Sequence, residues 1–131
     1  MDINKSATIS GDLRVENNTV VVNLAVLFFE DHGVQVAYCP AINIYGYGTS
    51  ETEAMQSFEI CMEEFFKYTI HKKTLTKELQ HLGWKVKKES RLHRFTPPVF
   101  SSLLDKNKTL HTILNTRNFQ KVDKAIQIPI A

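Results

Sequence analysis

The sequence predicts an α+β fold, in which an antiparallel sheet of three to four strands is packed by one long helix. Between residues 19 and 48, runs of alternating apolar side chains are separated by turn sequences, as in strands joined by hairpins. From residue 50 onward, the apolar side chains instead recur at the spacing of a helix with one buried side. We divide the chain into a domain of residues 1–90 and a mostly helical C-terminal extension of residues 91–131, to which the sequence assigns no role.

The predicted strands begin with an N-terminal hairpin arm. Residues 9–15 predict a short strand, and residues 17–18, both asparagine, tolerate the positive φ of a tight turn. Residues 19–29 predict the strongest strand, which is apolar on both alternating faces and is therefore expected to be covered on both sides. A further strand at residues 34–39 ends at Pro40, because proline donates no ladder hydrogen bond.

A third, shorter strand leads directly into the helix. It spans residues 43–47, where Gly46 and Gly48 indicate a bulge or a close approach of two backbones. Ser50 and Glu53 have the spacing of a capping box, in which each residue satisfies a free backbone group at the start of a helix. The sequence therefore predicts that the helix begins at this point.

Two apolar stripes run along this helix. Steps of 100° per residue define the stripe that we expect to pack on the sheet, formed by Ala54, Phe58, Cys61, Phe65 and Tyr68. A second, offset stripe is formed by Met55, Phe66 and Ile70. One sheet face cannot cover both stripes, so the second predicts a cover from the C-terminal residues or from another protein chain.

Weaker signals follow the long helix. Thr74 can begin a shorter helix, and Gly83 stands where a left-handed C-terminal residue is favoured, with Trp84 as the hydrophobic contact after it. Residues 84–88 predict a strand. Pro129 restricts the last apolar segment to a sheet edge or to non-strand structure.

The net charge of +2 conceals a strong separation of charge along the chain. Residues 1–66 carry ten acidic and two basic side chains, a net charge of −8. Residues 67–94 carry a net charge of +7, and residues 95–131 carry +3. Charge separation of this kind indicates which partners a protein attracts rather than how it folds.

Targeting and membrane segments are not evident in the sequence. The first thirteen residues lack the apolar core of a signal peptide, and no apolar run approaches the length of a membrane span. Two cysteines without an export signal indicate reduced thiols. We therefore expect a cytoplasmic protein with no membrane partner.

The junction between sheet and helix resembles a known family. Residues 39–42 read Cys-Pro-Ala-Ile, and residues 48–54 read Gly-Thr-Ser-Glu-Thr-Glu-Ala. These runs resemble the core of HicB-type antitoxin domains, in which an apolar strand enters a Pro-Asp-Leu-Pro-Gly segment. A short strand follows, and a Gly-Asp-Thr or Gly-x-Thr motif then precedes Glu-Glu-Ala at the helix start. The resemblance covers roughly residues 20–72.

The resemblance implies both a fold and a function. The family fold is a β-β-β-α unit described as a partial RNase H fold, and its members are antitoxins of bacterial toxin–antitoxin pairs. The implied partner is a small basic RNA-cleaving toxin of the HicA type. Three departures weaken the parallel: Asn43 replaces a Pro-Gly pair, a hairpin arm is added, and the residues after Gly83 do not read as a DNA-binding module. The last departure places transcriptional autoregulation in doubt.

The sequence does not predict catalysis. A metal-dependent nuclease needs several carboxylates that converge on divalent metals. Glu30 and Asp31 instead lie at a predicted hairpin tip, and Glu51 and Glu53 lie in a helix's first turn, where acids complement the helix dipole. Cys39 has no base at a recognisable spacing, because the five histidines are scattered. The same scatter argues against zinc, so we expect a protein that is not an enzyme and has no metal and no cofactor.

The first functional hypothesis is an antitoxin-like module that covers the active surface of a HicA-type toxin. The acidic first half would attract the basic toxin, and aromatic side chains would hold it. The candidate partner-binding residues are Glu30, Asp31, Tyr45, Tyr47, Glu51, Met55, Glu59, Phe66 and Ile70. A homo-oligomer is also expected, with a dimer favoured because closed dimers are the commonest assembly.

Two alternatives remain open on the sequence. One is a nucleic-acid-binding protein that uses the basic segment 71–94, with the candidate residues Lys72, Lys73, Lys85, Lys87, Lys88, Arg91 and Arg94. The same lysines are also typical of an exposed edge strand that is protected against aggregation. The other alternative is an oligomeric scaffold without a toxin, which the second helix stripe suggests.

Overall fold

The computed structural model describes residues 8–9, 13–16, 19–89 and 92–129. The strands in this part of the chain are β1 (Thr8–Ile9), β2 (Leu13–Glu16), β3 (Thr19–Asp31), β4 (Val34–Cys39), β5 (Ile44–Gly48), β6 (Lys85–Glu89), β7 (Leu92–Thr96) and β8 (Phe119–Pro129). The helices are α1 (Glu51–His71), α2 (Leu75–His81), α3 (Phe100–Lys106) and α4 (Lys108–Thr116). The predicted turn at residues 17–18 lies outside the described residues, although β2 and β3 on either side of it pair as a hairpin does.

Strand β3 is the centre of the main sheet. It pairs with β8 from Thr19 opposite Pro129 to Phe29 opposite Phe119. Because β8 occupies one edge of β3, strands β2 and β4 share the other edge, with β2 at the start of β3 and β4 at its end. Strand β5 continues the sheet beyond β4, and β1 continues it beyond β2. Every pairing is antiparallel.

The predicted α+β class is confirmed, with a long helix packed on an antiparallel sheet. Within the described residues the sheet has six strands rather than three or four, because β8 and the N-terminal arm extend it. The boundary that we placed after residue 90 falls between β6 and β7, which pair with each other. Residues 92–129 therefore do not form an appended extension, because β8 is an integral strand of the sheet. Strand β8 is an edge strand that ends at Pro129, which agrees with the restriction that the proline predicted.

Different helices cover the two faces of the sheet. Phe28 and the other even-numbered apolar residues of β3 share a core cluster with Phe58 of α1, and we call this side the α1 face. Leu27 and Phe29 share a second cluster with Leu110 and others from α4, and we call this side the α4 face. The prediction that β3 is covered on both sides is confirmed.

Helix α1 lies directly against the backbone of β5. A Cβ atom added to Gly46 would overlap backbone atoms of Ala54 and Phe58 in α1. A Cβ atom added to Gly48 would overlap Glu53 and Ala54. The close backbone approach predicted from the two glycines is therefore present, and glycine is required at Gly46 because only a residue without a side chain leaves room for the helix.

The capping box at the start of α1 is confirmed. The hydroxyl of Ser50 accepts a hydrogen bond from the Glu53 backbone N–H at 3.1 Å. The Glu53 carboxylate reaches Thr49 rather than Ser50, accepting from its backbone N–H at 2.8 Å and from its hydroxyl at 2.6 Å. The Thr49 hydroxyl, and then its backbone N–H, hold the pKa of Glu53 below its usual value.

The buried side of α1 differs from the predicted stripe. Ala54 and Phe58 are buried, but Cys61 and Tyr68 are exposed, and the buried residues of the second half are Phe66 and Thr69. Buried residues that are four positions apart are displaced around the helix axis by about 40° at each step. The buried side of α1 therefore rotates away from the predicted stripe, whose residues are alternately four and three positions apart. The prediction that Cys61 and Tyr68 pack on the sheet is wrong.

The second helix stripe is covered by the chain itself. Phe66 lies in the core cluster of the α1 face together with Leu79 of α2 and Trp84. Met55 packs partly buried against the same cluster, and Ile70 is half-buried. The cover therefore comes from α2 and Trp84 and not from the C-terminal residues or another chain, as we had predicted, so the stripe is no evidence for an oligomer.

In the described part of the chain, every helix is too short or too polar to span a membrane.

Trp84 attaches α2 and the β6–β7 hairpin to the sheet. Its indole N–H donates to the backbone oxygen of Ala41 at 2.8 Å, in a buried position. Gly83 has a φ of +98°, and the backbone N–H groups of Trp84 and Gly83 donate to the oxygens of Leu79 and Gln80, each at 3.0 Å. This is the left-handed helix end that the sequence predicted, and it aims Trp84 at the turn between β4 and β5.

Substitution of Gly46 tests the contact between α1 and β5. We expect Gly46→Ala to lower the free energy of unfolding by about 3 kcal/mol, because the added methyl group meets helix backbone that cannot move aside. Gly33→Ala is the control, since Gly33 has a φ of +82° but open space around it, and we expect a loss of about 1 kcal/mol. Urea unfolding measures both, and equal losses would show that α1 is not held by this contact.

Candidate functional site

The solvent side of α1 is strongly acidic. Its exposed carboxylates, which we call the acidic face, are those of Glu51, Glu53, Glu59, Glu63 and Glu64. Basic groups appear only toward the end of the helix, where Lys67 lies 4.0 Å from Glu64, a separation at which an exposed pair contributes little. Packing of the opposite side on the sheet holds these carboxylates outward, and they concentrate negative charge on one surface.

Exposed apolar side chains, which we call the apolar strip, lie among and beside the carboxylates of the acidic face. Ile60 and Tyr68 are each 61% exposed and Tyr47 is 56% exposed, although side chains of these types usually bury part of their surface. Steps of 100° place Ile60, Cys61 and Tyr68 on the side of α1 that also carries Ser57. Ser57 accepts a hydrogen bond from the Tyr47 backbone N–H at 3.1 Å, so this side of the helix lies along β5.

Tyr47 of this strip also belongs to a stack of three tyrosines on the α4 face of the sheet. The ring centroids of Tyr38 and Tyr45 are 4.2 Å apart, and those of Tyr45 and Tyr47 are 6.2 Å apart with nearly parallel planes. The sequence left open whether Tyr38 stands beside the other two, and the register places it directly opposite Tyr45. Burial, and then the charges of Tyr45, Asp31 and Cys61, raise the pKa of Tyr47.

Tyr38 links the sheet to α4 by hydrogen bonds. Its buried hydroxyl donates to the side-chain oxygen (Oδ1) of Asn43 at 3.2 Å and accepts from the side-chain amide (Nδ2) of Asn107 at 2.7 Å. The side-chain oxygen (Oδ1) of Asn107 in turn accepts from the Leu110 backbone N–H at 2.9 Å and caps α4. Desolvation raises the pKa of Tyr38 well above its ordinary value, and the hydrogen bond from Asn107 opposes this only in part.

The structure separates the candidate partner-binding residues into accessible and inaccessible groups. Those with exposed side chains are Glu30, Tyr47, Glu51 and Glu59. Asp31 is paired with Arg117 at 2.7 Å and also contacts His32, while Tyr45, Met55 and Ile70 are half-buried. Phe66 is buried in the core, so its prediction as a partner-binding residue is wrong. Ile60, Cys61 and Tyr68 were missed, because helical periodicity cannot show which of several apolar residues the sheet covers.

A basic groove lies on another side of the molecule, between the β4–β5 turn, α2 and the start of α4. Its volume is about 830 Å³. His81, Lys85, Lys106 and Lys108 line it, and no aspartate or glutamate does. Asn43 and Asn107 also line this groove, so the hydrogen bonds of Tyr38 hold two of its walls together. A groove with lysines and without carboxylates suits an anionic ligand.

Only part of the predicted basic segment belongs to this groove. Lys85 lines it, whereas Lys72, Lys73 and Lys87 are exposed outside its lining and Arg94 is half-buried. Lys88 stands opposite His93 in the β6–β7 hairpin, and Arg91 lies outside the described residues. Lys106 and Lys108 were missed because they follow the basic segment by more than ten residues, and chain folding alone brings them to Lys85.

Within the described residues, the Cys39 thiol is not activated and no metal-binding group is assembled. Burial raises the pKa of the Cys39 thiol to about 12, which keeps it protonated and a poor nucleophile at neutral pH. Among the described residues, no group of three or more histidine, cysteine, aspartate or glutamate side chains could hold a metal ion. The exposed carboxylates of α1 point outward along a convex helix instead of converging on a cavity, as metal-dependent hydrolysis requires.

Comparison of the chain with protein-family models, with curated proteins and with solved structures gave no match. The resemblance to HicB-type antitoxins therefore rests on the residues of the sheet-to-helix junction.

Alkaline titration tests the buried Tyr38 hydroxyl. Because its pKa is raised in the folded state, its contribution to stability is complete below the unfolded pKa of about 10 and is lost as pH rises above that value. We expect Tyr38→Phe to cost about 1 kcal/mol at neutral pH, where it removes two hydrogen bonds, and to lose less stability than the wild type above pH 10. Denaturant unfolding at several pH values measures this, with the exposed Tyr68→Phe as control. Parallel pH profiles for the wild type and Tyr38→Phe would contradict the assignment.

Proposed function

We propose that this protein is an antitoxin-like binding module, which neutralises a small basic RNA-cleaving toxin of the HicA type by covering its active surface. The observation that carries the proposal is the acidic face of α1 with an exposed apolar strip beside it. An RNA-cleaving protein presents positive charge where it binds phosphates. A negative, partly apolar surface would occupy that site in place of RNA and would exclude the substrate.

The two parts of this surface have different physical roles. The carboxylates of the acidic face would speed the encounter with a positively charged partner and disfavour neutral or acidic ones. Tyr47, Ile60 and Tyr68 would supply the desolvated contacts that slow dissociation, since aromatic and large apolar side chains dominate binding energies. A helix that is fixed on Gly46 loses little conformational freedom on binding, which favours affinity.

The junction between β5 and α1 adds support from the family resemblance. Gly48, Ser50 and Glu53 are the positions that match the family motif, and each has a structural task where the helix begins. The motif residues thus hold α1 at the angle that turns the acidic face to solvent. The resemblance and the charge distribution point to the same partner, a basic protein.

Neutralisation of the acidic face tests the proposal. The protein is co-expressed with the product of the adjacent reading frame, and complex formation and growth are compared for the wild type and Glu59→Gln/Glu63→Gln. We expect about tenfold weaker binding at low salt and poorer growth rescue, because charge complementarity is lost. These two like charges are helix neighbours, so their neutralisation does not weaken α1.

The matched control is Glu78→Gln/Asp105→Asn, which changes the net charge equally at positions outside α1. It should bind and rescue as the wild type does. Equal losses of binding and growth rescue in both double variants would mean that the partner responds to the net charge of the protein and not to the acidic face. Absence of any co-purifying toxin from the neighbouring frame would overturn the antitoxin function itself.

A second candidate function is nucleic-acid binding through the basic groove. The observation that favours it is the lining of His81, Lys85, Lys106 and Lys108 without a carboxylate. Phosphate groups are the anions that such a groove would meet in excess in a cell, and their binding would weaken as salt rises because counterions are released.

Gel shifts with RNA and DNA oligonucleotides at two salt concentrations test this second function. We expect Lys106→Gln/Lys108→Gln to weaken binding and to lower the slope of log affinity against log salt by about two, one for each lost phosphate contact. The control Lys121→Gln/Lys124→Gln removes the same charge from β8 and should leave that slope unchanged. No shift for the wild type at low salt would remove this candidate.

A further inference from the structure

Strand β8 leaves one of its edges open. Its other edge pairs with β3 over eleven consecutive residue pairs. In the part of the chain that the structure describes, no strand pairs with the outer edge. An edge of this length presents a row of backbone N–H and C=O groups to which another strand can be added. The opposite margin of the sheet differs, because the Ser57 hydroxyl of α1 accepts from the Tyr47 backbone N–H of β5.

The exposed side chains of β8 are charged in a self-complementary order. Lys121 and Asp123 lie on the α4 face, with side chains 43% and 70% exposed and Nζ and Oδ1 3.7 Å apart. In an antiparallel pair with two-fold symmetry, residues directly opposite each other share a face of the sheet. If the two-fold axis passes through Val122, which lies between the two charged residues, the lysine of each copy therefore stands opposite the aspartate of the other copy.

We infer that a second copy of this chain pairs with the outer edge of β8, antiparallel and with the two-fold axis at Val122. In this register Lys121 lies opposite the partner's Asp123, and Asp123 lies opposite the partner's Lys121. Opposite charges that face each other across strands stabilise the pairing, and like charges destabilise it. The exposed Phe119 meets the partner's Ala125, which adds an apolar contact at each end.

Neighbouring symmetric registers are less favourable. An axis at Lys121 places the two copies of Lys121 directly opposite each other, and an axis at Lys124 places the two copies of Lys124 directly opposite each other. An axis at Asp123 places two aspartates opposite each other. Among the registers centred on residues 121–124, only the one at Val122 places no like charges directly opposite each other.

The pairing leaves the other candidate sites open. Strand β8 and strand β5 lie at opposite margins of the sheet, and α1 packs mainly against β5 and β4, with only a few contacts to β8. A continuous sheet through two copies would thus carry two acidic faces, one at each far margin. Each copy could bind a separate partner, and the dimer forms whether or not the proposed antitoxin function holds.

A charge swap tests the register. Sedimentation velocity over a range of protein concentrations at low salt is compared for the wild type, Lys121→Asp, Asp123→Lys and the double variant with both changes. We expect each single variant to dimerise about tenfold more weakly, because both symmetric pairs become repulsive. The double variant exchanges the two charges and should recover the wild-type dimerisation constant, at the wild-type net charge.

Each outcome is decisive for the pairing. The single variants change net charge in opposite directions, so a loss in both and a recovery in the swap cannot come from net charge. A wild type that stays monomeric at the highest attainable concentration would overturn the inference. A dimer that all three variants leave unchanged would place the interface elsewhere. The positions are exposed, and circular dichroism of each variant shows that the fold is retained.

Discussion

The structure depends on the contact of the α1 backbone with the glycines of β5. Because Gly46 and Gly48 have no side chains, the first turns of α1 lie against the strand itself, and the hydrogen bonds of Ser50 and Glu53 start the helix at that point. The direction of the helix follows from this contact, and so does the side of it that meets the core. The acidic face and the apolar strip are exposed because the opposite side of α1 is committed to the sheet.

How much of the fold could be predicted depended on how local each signal is. The hairpin tip beside Glu30 and Asp31, the capping box and the left-handed end at Gly83 were all visible, because each depends on a few neighbouring residues. The position of β8 beside β3 was not, since pairing across about a hundred residues leaves no periodic trace in the sequence. The exposure of Cys61 was misjudged for a similar reason, because the drift of the buried side of α1 follows from its packing partners and not from its own spacing.

The candidate sites show the same limit. The acidic character of the first half of the chain was evident from composition, but the exposed apolar residues beside it emerged only once the buried side of α1 was known. The basic groove joins Lys85 to Lys106 and Lys108, which lie in different parts of the chain and on different elements. Opposite charges thus occupy separate surfaces of one small protein, which suits a module that binds a basic protein with one side and an anion with another.

The most direct test of the central claim uses the chain's own thiols. Cys61 is exposed on the apolar strip beside the acidic face, and Cys39 is fully buried. Alkylation of the folded protein should therefore modify one thiol, and mass spectrometry of peptides should identify it as Cys61. In a complex with the basic product of the adjacent reading frame, alkylation of Cys61 should slow markedly while Cys39 stays unmodified. An unchanged alkylation rate at Cys61 in a fully formed complex would show that the partner binds elsewhere than on this side of α1.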